Sequence, residues 1–111
     1  MNKCLTVLFT SLLLLQANHA SAIEIKGAIS CSYWFSGRSK PEQRALNTTW
    51  LVGYLSAIGW KSNDIILNQT EIQSIELWTD EYCRIHPESY IANGARELSK
   101  ELLKKGVPAK Y

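Results

Sequence analysis

Apolar residues recur at helical spacing over three stretches of this chain, and the residues that break the pattern mark where each stretch ends. From Ser39 to about Ile58, Leu46, Trp50, Gly53 and Ala57 fall on one stripe and Leu51, Leu55 and Ile58 on its neighbour. So broad an apolar surface predicts a central helix, with Gly53 and Ala57 admitting a close neighbour. Ser39-Lys40-Pro41-Glu42 reads as a capping box with Ser39 as N-cap, and Gly59 reads as the stop. A second box, Thr70-Glu71-Ile72-Gln73, opens another predicted helix that buries Ile72, Ile75, Trp78 or Thr79, and Tyr82. Pro87 disfavours helical geometry at His86 and ends that helix, while suiting the first position of a third. There Ile91, Ala95, Leu98 and Leu102 share a face, Lys104 and Lys105 complement the macrodipole, and Gly106 is the cap.

The connections are less regular. Lys61 to Gln69 is a loop plugged by Ile65-Ile66-Leu67. Ahead of the first strong helix, Ile23-Glu24-Ile25-Lys26 alternates like a short extended segment and Gly27 marks a turn. Ala28 to Phe35 then forms a short helix or an irregular stretch that carries Cys31 to the core. The fold class is all-α, a small bundle of three to four helices.

The first 22 residues stand apart from this pattern. Lys3 makes a positive start, Cys4 to Leu15 is apolar apart from Thr and Ser positions, and Ala20-Ser21-Ala22 offers a cleavage box. This describes a signal peptide cut after Ala22, leaving a domain of residues 23–111. The apolar run is too short for a membrane anchor, which needs about 20 residues. Export to the periplasm of a Gram-negative bacterium is the compartment expected.

Cleavage removes Cys4 and leaves Cys31 and Cys83 in an oxidising compartment, where two cysteines have one way to pair. The bridge encloses the first strong helix and leaves the last as a packed lid. A loop of this length disfavours the unfolded chain by roughly 4 kcal/mol in the chain-entropy account.

Charge narrows the function. The chain carries 12 Lys and Arg against 10 Asp and Glu, and loses only Lys3 with the leader, so the mature domain is near +1. Alternating signs without a basic face argue against nucleic acid as a partner. A single mature histidine, His86, and bridged thiols leave no Cys-His pair, and no Gly-x-Ser-x-Gly elbow occurs, so the chain does not read as an enzyme. Asp80 and Glu81 near His86 lack zinc-ligand spacing, so neither metal nor cofactor is expected. The sequons at Asn47 and Asn68 fall in or beside predicted helices and read as chance. More informative are the aromatic residues, which are enriched at partner surfaces: Trp34, Phe35 and Trp60 sit at predicted helix ends or loops and are the candidate protein-binding positions.

Two cysteines about fifty residues apart, Trp50-Leu51-Val52-Gly53-Tyr54-Leu55, and Glu81-Tyr82-Cys83-Arg84-Ile85-His86-Pro87 before a final amphipathic helix together resemble the small periplasmic acid-stress chaperones HdeA and HdeB. The resemblance runs from about Cys31 to Leu103. It implies a one-disulfide helical fold, a homodimer at neutral pH, and ATP-independent holding of unfolding clients in acid, with Cys31 and Cys83 as the bridge. Acid would neutralise the carboxylates and leave the Lys and Arg charges to repel one another, opening a marginal dimer. The alternative is a periplasmic binding module such as a type VI secretion immunity protein that neutralises a secreted toxin, whose final helix in some cases has a lead like His86-Pro87-Glu88. Mass spectrometry of the natural protein should find the chain starting at Ile23, with no thiol open to alkylation until a reductant is added.

Overall fold

Ser30 starts the first helix by accepting a hydrogen bond from the Tyr33 amide at 3.2 Å, so the segment around Cys31 is helical. A computed structural model describes residues 25–63, 66–68 and 70–105. Among them are four helices and no strand: α1 (Cys31–Arg38), α2 (Pro41–Ser62), α3 (Ile72–Ile85) and α4 (Ile91–Lys104). The proposed leader, Ile65 and the Gly106 cap lie outside the described residues. None of the described helices is long and apolar enough to cross a membrane.

The core gathers Cys31 and Trp34 of α1, Leu51 and Leu55 of α2, Ile75 and Cys83 of α3, and Ile91, Ala95 and Leu98 of α4. Ile66 plugs its edge, as the apolar run in the loop predicts. The Cys31–Cys83 bridge is formed, with Cα atoms 5.1 Å apart. Gly27 turns the entering chain with φ +70°, a conformation that favours glycine.

Helix ends depart from the sequence reading. Ser39 closes α1 instead of opening α2; Lys40 occupies the N-cap of α2, with Pro41 in the first turn. α2 passes through Gly59 and stops at Asn63, whose left-handed φ of 51° lets its amide reach the carbonyls of Gly59 and Trp60. Thr70 does not cap α3 either, since Glu71 holds that position without a side-chain bond. The last helix begins at Ile91 because the backbone ahead of it is engaged elsewhere: Ser89 O accepts from Cys31 N, and Ile91 N donates to Ile29 O, both at 2.9 Å. This short antiparallel bridge between Ser30 and Tyr90 ties the two ends of the domain beside the disulfide.

The α2 stripe facing inward is the neighbouring one. Asn47, Thr48, Leu51, Leu55 and Gly59 are buried, whereas Leu46, Gly53 and Ala57 face out. Trp50 lies between the two faces and stacks on Tyr54 at 5.4 Å. On α3, Thr79 is the buried choice, Trp78 and Tyr82 stack at its side, and Ile72 is exposed. α4 is packed, lying on both α2 and α3, and buries six residues, Gly94 among them.

Two glycines respond oppositely to a methyl group. A Cβ at Gly53 meets nothing within 4 Å, whereas one at Gly94 lies 2.7 Å from Cδ1 of the Tyr82 ring. In urea melts, Gly53→Ala should therefore raise stability by about 0.5–1 kcal/mol, and Gly94→Ala should lower it by about 1–3 kcal/mol.

Candidate functional site

The sequence candidates separate once folded. Trp34 is 1% exposed and its indole nitrogen donates to Asp80 Oδ1 at 2.7 Å. It is a core residue, so its assignment to a partner surface is corrected: α1 presents it inward next to Cys31, and its one polar atom is satisfied inside. Phe35, on the other side of α1, is exposed, and Trp60 is 87% exposed. Phe35 is on α1 and Trp60 near the C-terminal end of α2. Cys31 and Cys83 are fully buried and structural.

Trp60 instead belongs to the outward stripe of α2. Leu46, Trp50, Gly53, Ala57 and Trp60 follow one another at intervals of four and three residues, which keeps them on one side of a helix. Leu46 is 65% exposed, Gly53 and Ala57 are exposed, and Trp50 is half-buried at the margin. The row is large at both ends and small in the middle. Single exposed apolar residues are ordinary, whereas a row of them makes this face a candidate interaction surface.

Behind the opposite face of α2 is a polar cluster that hydropathy does not reveal. Glu76 of α3 is 4% exposed and accepts from Arg44 Nε at 3.0 Å, from Arg44 Nη2, and from Thr48 Oγ1 at 2.7 Å. Arg38 of α1 places Nη1 3.3 Å from the same carboxylate and donates through Nη2 to Asp80 at 2.9 Å, with its guanidinium over the Trp34 ring. Side chains from α1 and α2 thus converge on two carboxylates one turn apart on α3. The hydrogen bonds from Arg44 hold the Glu76 carboxyl down to about 2, helped by Thr48 and by the charge of Arg38 against the opposing effect of burial. The same hydrogen bond raises Arg44. Sequence reasoning missed this cluster; its only traces are Thr48 on the apolar helix and the spacing of Glu76 and Asp80 on α3.

His86 packs its ring against Tyr82 at 4.6 Å. Among the described residues no three His, Cys, Asp or Glu side chains gather as metal ligands would. Asn47 is buried, with its carboxamide oxygen bonded to Gln43, so in the folded chain the first sequon is closed to a glycan. Among the described residues there are open grooves: one lies over Arg38, Arg44 and Ile72, and another lies between α2 and α4 at Tyr54, Ile58, Lys61, Arg96 and Lys100. Geometry of this kind suits contact with a macromolecular surface better than enclosure of a small molecule. No family model, curated protein or solved structure matches the chain.

Since the Glu76 carboxyl is depressed from 4.5 to about 2, the stability it contributes is complete above about pH 4.5 and disappears as pH falls through about 2. Glu76→Gln should cost about 2–3 kcal/mol at pH 7 by leaving two guanidinium groups against a neutral amide. The gap between natural and variant urea midpoints should narrow steadily from pH 4.5 to pH 2; a gap that does not change with pH would show that Glu76 is not the titrating tie.

Proposed function

We propose that this protein is an exported, ATP-independent chaperone of the HdeA and HdeB type, which holds unfolding polypeptides on the outer face of α2 in acid. The exposed row from Leu46 to Trp60 carries this reading. It is an apolar surface on a helix whose opposite side is locked into the core, and large side chains such as tryptophan dominate the energetics of such contacts.

Two features of the charges fit work in acid. Most carboxylates lose their charge near pH 4, so the surface becomes cationic and clients that also turn cationic are kept soluble in its company. Glu76, held near 2 by Arg44, keeps α1, α2 and α3 joined through that interval. The covalent tie between Cys31 and Cys83 limits unravelling below it. The domain therefore has an interval, between about pH 4 and pH 2, in which its surface is strongly positive while its junction is intact.

A second reading, an immunity-type module that neutralises a secreted toxin, is supported by the same row for a different reason. Leu46 and Trp60 are accessible in the folded chain without any rearrangement, as a constitutive binder requires. Light scattering, dye binding and aggregation assays from pH 7 to pH 2 separate the two. The chaperone should suppress aggregation of an acid-unfolded client below about pH 4, and Leu46→Asp with Trp60→Asp should cut that suppression severalfold with little change in the melting temperature. Suppression that is absent at every pH would remove the chaperone reading, and tight one-to-one capture of a toxin at pH 7 would replace it.

A further inference from the structure

The domain is nearly neutral overall, yet its charges are unevenly spread over its clefts. Between the C-terminal half of α2 and the outer side of α4 lies an open cleft of about 410 Å³, with Tyr54 and Ile58 as its floor and Lys61, Arg96 and Lys100 around it. Among the described residues no carboxylate lines it. The guanidinium groups of Arg38 and Arg44 are engaged by Glu76 and Asp80, and the groove between α3 and α4 sets Glu71 and Glu101 against Lys105. Here Glu97 is the acidic neighbour, paired with Lys100 one turn on at 2.9 Å and also feeling the charge of Arg96, so one carboxylate stands against three cations. Lys61 and Arg96 make no ion pair among the described residues.

Three like charges around an aromatic and aliphatic floor repel one another, and an anionic ligand relieves that repulsion. We propose that this cleft is the docking site for an acidic segment of a partner protein. Tyr54 and Ile58 receive an apolar side chain of that segment, and Lys61, Arg96 and Lys100 pair with carboxylates on either side of it. The size of the cluster selects this occupant. A nucleic-acid backbone requires a continuous basic track that a domain near +1 does not provide. An anionic membrane is met by long polybasic or amphipathic surfaces, not by a cleft with three cations. The proposal extends the protein-binding reading to a second surface and is separable from it: carboxylates of the partner are charged at pH 7 and neutral below about pH 4, so this docking is strongest where acid holding is absent.

The test uses the natural protein with its disulfide formed and a fluorescent peptide composed of Asp, Glu and Leu, alongside a counterpart with Lys in place of the acidic residues. The acidic peptide should bind at pH 7, perturb the amides of Tyr54, Ile58, Lys61 and Arg96, and dissociate with added salt. Lys61→Glu combined with Arg96→Glu, both exposed and outside the core, should weaken it by roughly tenfold, while acid holding persists and the melting temperature is little changed. Leu46→Asp with Trp60→Asp should do the reverse. Absence of binding, equal binding of the Lys peptide, or amide changes confined to other surfaces would overturn the proposal. Tighter binding of a single-stranded oligonucleotide or of phosphatidylglycerol vesicles would overturn it too, by naming a different occupant.

Discussion

The bridge between Cys31 and Cys83 sets the position of everything that α1 contributes. An isolated helix of eight residues has too few internal bonds to repay its nucleation, so α1 needs tertiary support to persist. The disulfide holds its first residue to the end of α3, and Cys31 N is bonded at the same point to Ser89 O just before α4. From that anchor one turn of helix brings Trp34 over Asp80, and a second brings Arg38 between Asp80 and Glu76. The covalent tie and the polar cluster are therefore parts of one arrangement, because the first fixes the direction along which the second is built.

That arrangement decides which way α2 faces. Arg44 and Thr48 must meet Glu76, and a helix rotated to bury Leu46 and Gly53 instead would take from a buried carboxylate its hydrogen-bonded cation and its hydroxyl donor, which is a costly defect in a core. The polar contact turns Leu51, Leu55 and Gly59 inward and leaves Leu46, Gly53, Ala57 and Trp60 outside. An apolar surface on the outer side of this helix follows from the constraint on the inner side.

The sequence disclosed the parts governed by periodicity and hid those governed by distant partners. The three long helices, the core positions of α4, the bridge and the plug at Ile66 follow from spacing and cysteine arithmetic. α2 offers two neighbouring apolar stripes, and hydropathy does not choose between them because Thr48 and Asn47 count as polar until Glu76 and Gln43 are known to pair with them. Ser39 satisfies the local rule for an N-cap, but α1 ends there and the chain has no room for a separate cap. Pro87 could have opened a helix, yet the backbone from Ser89 to Ile91 is held by Ile29 and Cys31, residues some sixty positions earlier. Trp34 was placed on the surface for lack of any signal that Asp80 would satisfy its indole.

The two surfaces that result have different chemistry and share one helix. The row from Leu46 to Trp60 is apolar and makes no demand on a partner's charge, so it suits many sequences. The proposed cleft beside Lys61 adjoins that row, since its Tyr54 stacks on Trp50, and would discriminate by sign. Proton concentration acts on them in opposite directions, since acid removes the anions that the cleft would recognise but leaves the apolar row unaltered. An α2 fixed from behind by Glu76 and by the core would let one short chain present both surfaces.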